Sequence, residues 1–481
     1  MEKALGNYSL SLSPDMTNGH VEYKVPIPKG LVRLHIDYVV EKIWEEDPKR
    51  IEGEWRRYVG AHPTYREHPA EGEGIRNLVT VSVSSPSCYF GASHRFMEQE
   101  AITIGKEHSS LGFIHGELEA GMWRISFNCH AVVTEKLVVD CRIYGEFDEV
   151  EPSKEAFKVN LPEKAKKARP IRDLSEISYH KVELHTHTCH SDAVFTTQEL
   201  VDAAETENIE YLAITDHNTM APFYDKLKVE VSLIYGMELT TFFGHILLHK
   251  GEFFEGVDWT EISEERIEQV LADLKTQGLF IGMAHPFSMG TPYCTGCQWN
   301  YVLNNLESLD YIEVWNSFGP HLEPCNLDAF AKWTQLLDQG VQIPATCGRD
   351  WHGVERQKAP SSLYVQCEAD ASPRAVLEAI AMGQSYVTVG PRLEAMVNEL
   401  YSIGDSLPRG EIQLVMSVEN DGVERGATYV VESNEGVLAM GEVSEVMSIQ
   451  LEVPVACRYM RLSLFNEAGL RVAFTNPFYF D

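Results

Sequence analysis

Apolar and polar positions alternate through the first third of the chain. Between Val32 and Phe147, short β-prone runs (NLVTVSVSS, MWRISFNC, KLVVDCRIYG) are separated by Gly, Pro and charged turns, with no long amphipathic helix between them. Period-two patterning predicts half-buried antiparallel strands of a sandwich or jelly roll, so residues 1–150 read as an N-terminal β-sandwich-like domain. Residues 151–178, opening EPSKEAFKVNLPEKAKKARPIRD, are polar, Lys-rich and Pro-punctuated, and read as a linker.

From Tyr179 the pattern changes to strands alternating with helices. VELHTHT is a buried-strand candidate, followed by a helix in TTQELVDAAETEN whose Thr196 and Glu199 have the spacing of a capping box. YLAITDHN, SLIYGMELTT, HILLHKG, LFIGMAHP, YIEVWNS and IPATCGRDWH follow as strands. Helices are predicted in EERIEQVLADLKTQG (closed by Gly278), near YVLNNLESL and in LDAFAKWTQLLDQG. SPRAVLEAIAMG and SYVTVG add a last helix and strand. Repeated units of this length predict a parallel sheet closed into a barrel over residues 179–391. Residues 392–481 return to short β-prone runs and read as a small C-terminal β domain.

Composition narrows the class. At 481 residues the chain exceeds the ~250–300 that one core sustains, and 44% hydrophobic with 23% charged residues is ordinary globular usage. The net charge of −32 disfavours long nucleic acids, although a local metal site still accommodates a small anion. There is no apolar run of the ~20 residues a membrane span needs, and the first residues lack the features of a secretory signal. A cytoplasmic protein with its ten scattered cysteines reduced is expected.

The chemistry lies at predicted strand ends. His185 and His187 end the first barrel strand, with Asp192 just beyond. His217 ends the second strand and Glu238 the third; His245 opens the next. His285 ends a strand in AHP, and Asp350 and His352 end another in GRDWH. C-terminal strand ends of such a barrel converge on one mouth, and residues two apart on a strand face the same way. Burying so many titratable groups together is costly unless cations pair with them. Nitrogen and oxygen donors without thiolate fit Zn, Mn or Fe.

The ordered series ELHTHTCHSD, ITDH, GMEL, GHILLH, AHP and GRDWH resembles the PHP (polymerase and histidinol phosphatase) metallohydrolases. That resemblance implies a distorted (β/α)7 TIM-like barrel with two or three divalent metals. By it, His185, His187, Glu238 and Asp350 take one metal; Glu238 bridges to a second held also by His245 and His285; Asp192, His217 and His352 take a third. It also implies a metal-dependent phosphoesterase whose metal-bridging hydroxide, held at Glu238, attacks a small phosphomonoester or phosphodiester. Rival readings are a carboxyl or carbamate ester hydrolase using the same site, and a non-catalytic binding module. Many relatives carry Asp two positions before the first His, where this chain has Glu183.

Secondary candidates complete the reading. His249 faces the same side as His245 and is its rival as ligand. His190, Asn316 and Arg349 read as substrate contacts. Arg349 is the phosphate clamp, with an ion pair to a helix carboxylate as its alternative. His321 is a candidate acid, and Cys294 and Cys297 a substrate-loop turn. Because every ligand falls in the barrel, a chain starting near Glu176 is expected to fold and keep its metals.

Overall fold

The structure is a computed structural model and describes residues 2–58, 74–95, 97–148, 177–290, 297–355, 358–418 and 426–480. The linker reading of 151–178 lies almost wholly outside the described residues. No described helix is long and apolar enough to cross a membrane.

In the N-terminal region, alternation yields two four-stranded antiparallel sheets. One orders Glu2–Leu12, Leu137–Phe147, Leu31–Val40 and Gln99–Gly105; the other orders Gly19–Ile27, Gly121–Ala131, Leu78–Ser84 and Tyr89–Ser93. Their inner faces share one core around Ile36, Val81, Ile104, Trp123, Phe127 and Val139. A helix at Pro48–Tyr58 interrupts a stretch expected to hold only strands. Ile51 and Trp55, four positions apart, put a narrow apolar stripe on an otherwise charged helix of eleven residues, a signal that the strand-only reading passed over.

The middle of the chain supplies β1 (Ile177–Glu183), α1 (Thr197–Thr206), β2 (Tyr211–Ile214), β3 (Ser232–Thr240), β4 (His245–Lys250), α2 (Ile267–Thr276), β5 (Phe280–Met283), β6 (Tyr311–Asn316), α3 (Pro324–Asp338) and β7 (Ala345–Gly348). The strands pair in the order β1 to β7. The sheet then closes on itself: a parallel bridge joins Thr186 to Trp351. There His187 N–H donates to Trp351 O (3.1 Å) and Trp351 N–H to His185 O (3.2 Å). Thr196 and Glu199 form the expected reciprocal cap on α1, and Gly278 follows α2 at φ 83°.

Two expectations fail. The sheet is not all parallel, because β4 runs antiparallel to both β3 and β5. Residues 241–244 are too few for a helical crossover, so β3 and β4 form a hairpin. The helix expected near YVLNNLESL is only a 3-10 turn at Leu306–Ser308.

After β7, β8 (Ser362–Glu368) pairs antiparallel with β1, α4 (Pro373–Ala381) follows, and β9 (Ser385–Thr388) pairs with β8 and with Arg471–Thr475. One sheet therefore continues from the closed segment into the C-terminal strands. A separate antiparallel sheet orders Tyr401–Ser402, Leu393–Val397, Glu411–Val418 and Val446–Glu452. α3 anchors this junction by burying Phe330 and Trp333 against Phe474, each large apolar side chain contributing roughly 1.5–3 kcal/mol.

Candidate metal centre

Beyond Glu183 the chain stays extended, so His185 and His187 share a face while Thr186 turns away and donates to Ala213 O (2.6 Å). Both imidazoles are fully buried. Glu238, at the mouth end of β3 and fully buried, is the hub. Its Oε1 lies 2.9 Å from His245 Nδ1 and 3.1 Å from His285 Nε2. Its Oε2 lies 2.9, 3.3 and 3.4 Å from His217 Nδ1, His185 Nε2 and His187 Nε2. Asp350 adopts φ 50°, a left-handed conformation that Asp tolerates better than most residues. Its Oδ1 stands 3.0 Å from His187 Nε2 and 3.4 Å from His185 Nε2. Asp192 Oδ1 is 3.0 Å from His352 Nε2 and 3.5 Å from His217 Nε2.

All nine expected ligand residues therefore meet. Eight of them fall in three overlapping groups whose donor atoms lie within 4.8 Å of one another: His185, His187, Glu238 and Asp350; His217, Glu238 and His245; His187, Asp192, His217 and His352. The second group departs from expectation, with His217 in it and His285 attached only through Glu238. Six buried donor atoms at this centre lack a hydrogen-bond partner: His185 Nε2, His187 Nε2, Glu238 Oε2, His245 Nε2, His285 Nδ1 and Asp350 Oδ1. Four of them, His185 Nε2, His187 Nε2, Glu238 Oε2 and Asp350 Oδ1, are linked by separations of 3.0–3.4 Å, while His245 and His285 turn their other ring nitrogen to Glu238. Each buried orphan costs on the order of 1–3 kcal/mol, and a cation among them removes that cost.

Burial lowers His187 to about 4, helped by the neighbouring His352 and His217. Burial opposes protonation of His185 as well, yet Glu313, Asp350 and Glu238 together raise it well above the usual range. His352 rises to about 10 against burial, because Asp192 and Asp350 face it. Burial works to raise Glu238 and Asp350, but the surrounding imidazoles hold both well below the ordinary carboxylate range. The carboxylates are thus ionised, as metal ligation requires.

Three residues that support this centre had no clear signal in the sequence. Glu313 on β6 reaches His185 Nδ1 at 3.1 and 3.2 Å and accepts from His285 N–H at 3.0 Å. It is a carboxylate placed behind an imidazole expected to ligate; a lone acid in the apolar run YIEVWN was its only trace. Asp216 accepts from Thr188 N–H (2.9 Å), Thr188 Oγ1 (2.8 Å) and Ser191 Oγ (2.6 Å), tying down the loop that carries Asp192. His94 comes from the N-terminal region, its imidazole 4.5 Å from that of His217. Glu183 accepts from the backbone N–H groups of His185 (3.1 Å) and Arg349 (3.0 Å), fixing two strand ends at once.

The structure commits most of the expected substrate contacts to partners within the chain. Arg349 is 1% exposed and turned away from the centre, pairing with Glu183 (3.0 Å) and with Glu207 at the end of α1 (2.7 Å). Strand alternation sends it opposite to Asp350, so the helix-carboxylate alternative describes it. His190 uses both nitrogens, accepting from Gly112 N–H (3.3 Å) and facing Asp225 (3.0 Å). Asn316 is buried, and its Nδ2 donates to Glu313 (3.1 Å). His321 lines a separate cavity with Val389, Pro391, Leu464 and Val472, away from the ligands, so nothing supports it as an acid there. His249 is committed to Leu184 O (2.9 Å) and the Tyr311 hydroxyl (2.8 Å), leaving His245 as the ligand candidate. Cys294 lies outside the described residues.

Residues 183–298 match the PHP domain family. An uncharacterized protein of Methanocaldococcus jannaschii is 30% identical over 154 residues, covering 29% of this chain and 82% of that protein. Among solved structures, a two-domain protein containing a predicted PHP-like metal-dependent phosphoesterase from Bacteroides vulgatus is 15% identical. It covers 66% of this chain and 100% of its own, with a TM-score of 0.36. An amidohydrolase from Chromobacterium violaceum with bound sulfate is 17% identical, with 36% and 87% coverage and a TM-score of 0.21. With its ordered histidines and acids gathered at one centre, and with the domain match spanning the segment that carries most of them, the chain belongs to the PHP domain family.

Proposed function

We propose that the protein is a metal-dependent phosphoesterase acting on a small phosphomonoester or phosphodiester, and that its closed sheet is a distorted (β/α)7 TIM-like PHP barrel between β-sandwich-like domains. The observation that carries this reading is a set of four buried, unpartnered donor atoms, His185 Nε2, His187 Nε2, Glu238 Oε2 and Asp350 Oδ1, linked by separations of 3.0–3.4 Å. His185, His187, Glu238 and Asp350 would hold one divalent metal; Glu238, His245 and His217 or His285 a second; Asp192, His217 and His352 a third. Metals of the Mn, Zn or Fe class supply Lewis acidity toward phosphoryl oxygens and acidify water, so that no Ser or Cys nucleophile is needed.

The chain's own residues do the positioning. Glu238 offers each oxygen to a different set of imidazoles and so sets the spacing between the first two sites. Glu313 orients His185, and Glu183 fixes the strand ends that carry His185 and Asp350. His352, with 37% of its side chain exposed, is the ligand a substrate meets first. The net charge of −32 supports a small substrate over a long nucleic acid.

One observation favours a second reading, hydrolysis of a carboxyl or carbamate ester by the same residues. Arg349 offers no anion clamp, and Val194, 76% exposed, donates its backbone N–H to His352 O (2.9 Å). Panels of phosphate and carboxyl esters assayed on Mn- or Zn-loaded protein separate the two. Phosphate-ester turnover supports the first reading, carboxyl-ester turnover alone the second. Less than one metal per chain after reconstitution ends both.

A further inference from the structure

The N-terminal β region is built against the metal centre, and its fit is close. Gly91 (φ 123°) and Gly112 (φ 84°) sit where any side chain collides. A Cβ on Gly91 lands 2.2 Å from Gly112 O and 3.1 Å from Thr219 Oγ1; one on Gly112 lands 2.4 Å from Ala92 O and 3.0 Å from His190 O. Across the same seam, Tyr89 Oη donates to Asn218 O (3.0 Å) and Thr219 Oγ1 to Gly112 O (2.8 Å). Thr219, Asn218 and His190 are all within three positions of expected ligands. Further along, Trp259 Nε1 donates to Ser82 Oγ (3.0 Å), and Asp258 accepts from Ser84 Oγ (2.6 Å) and pairs with Arg124 (2.5 Å).

This seam delivers His94. The residue follows the strand Tyr89–Ser93, is 4% exposed, and lies against the His217 imidazole at 4.5 Å with a 40° tilt. His187 lies at 4.4 Å from the same imidazole, so His217 is flanked by two rings. Behind His94, His130 packs at 4.9 Å and in turn against Trp259 at 5.3 Å. His217 belongs to two of the three donor groups. Its Nδ1 is held by Glu238 and by Thr240 Oγ1 (2.5 Å). That leaves the swing of Nε2 toward Asp192 to be limited by packing.

We infer that the N-terminal β region is a working wall of the metal centre and that His94 is a positioning residue, fixing the plane of His217 and thereby the group it shares with Asp192 and His352. The inference rests on the metal-site reading above. Its test uses the full chain, stripped with chelator and titrated with Co(II), reading bound metal by elemental analysis and ligand geometry by visible absorption. Neighbours of a metal ligand typically contribute 10- to 100-fold in affinity. His94→Ala should therefore weaken the loosest cobalt by about that factor and change its absorption band. His94→Phe, which keeps a flat ring in the same space, should restore both. His94→Val is titrated alongside, so a folding failure of the Ala variant does not stop the comparison. An Ala or Val variant that titrates like wild type, or a Phe variant as weak as they are, overturns the inference. Wild type taking up less than one cobalt per chain instead overturns the metal-site reading itself.

Discussion

Replacing Glu313 with Gln removes a charge at constant shape, and its cost can be worked from the partners. The Glu313 carboxylate is 1% exposed and accepts three donors: His185 Nδ1, His285 N–H and Asn316 Nδ2. A carboxylate only accepts, whereas an amide has one accepting and one donating end. Whichever way the substituted amide turns, its NH2 faces at least one of those donors. One buried donor is then unsatisfied, at about 1–3 kcal/mol. Independently, His185 loses the first among the carboxylates that raise its proton affinity, and with it basicity as a ligand. A 10- to 100-fold loss of metal affinity, about 1.4–2.7 kcal/mol, is expected. Chelator competition with Zn(II) reads the affinity, and melting in chelator reads the fold term separately. Affinity within threefold of wild type together with an unchanged melting temperature would show that Glu313 does not hold His185 in place.

Other perturbations discriminate further. Glu238→Ala should lose at least one metal and roughly 10³-fold in rate, because its two oxygens between them face five imidazoles; full metal content with full turnover would remove it from the site. Arg349→Lys breaks a two-carboxylate arrangement and should lower the melting temperature while leaving KM unchanged; a raised KM at unaltered stability would restore the clamp. His249 is lowered by burial from 6.5 to about 3. Below pH 6.5 the unfolded chain takes a proton that the fold refuses, so stability falls by up to ~1.4 kcal/mol per pH unit down to about pH 3. His249→Gln should flatten that slope in urea titrations at pH 7.5 and 5.5, and an identical slope would reject the assignment. A chain beginning at Glu176 should be insoluble or short of metal, against the expectation from sequence; a soluble, fully metallated product would show the N-terminal region to be dispensable.

The candidate ligands are legible because each is a polar residue at or near the end of an apolar run, and strand ends of a closed sheet meet. His185 and His187 added alternation, which a strand enforces over two residues. The same rule applied strictly to Arg349 turns it outward, opposite Asp350, toward Glu207 at the end of α1. The turn that Gly348 permits, which would have drawn Arg349 to the mouth, is not taken there; the positive φ falls one position after Arg349, at Asp350. Glu313 obeys no spacing rule at all; it is visible only when His185 Nδ1 is seen to need an acceptor. The antiparallel β4 hid for a related reason, since HILLHKG reads the same in either direction, and only the length of the 241–244 connection fixes it.

The division into separate domains met the firmest limit of local pattern. Sequence texture changes sharply between the sandwich and the closed sheet, which favours a boundary, but texture reports strand and helix periodicity and says nothing about which outer faces are paired. In the fold, Tyr89 and Ile114 of the N-terminal region pack on the core of the closed sheet, and Ile114 packs on the sandwich core as well. Phe242, on the loop between β3 and β4, meets His20 and His130 at 4.8 and 5.2 Å. Trp259, 1% exposed, is covered on this side by the sandwich through His20, His130 and Ser82. Cutting the chain at the linker therefore uncovers an indole, and a phenyl ring three residues from His245. The apolar cost of that cut falls at the metal centre, so the stability of the junction and the geometry of the ligands are one problem, with His94 at the point where they meet.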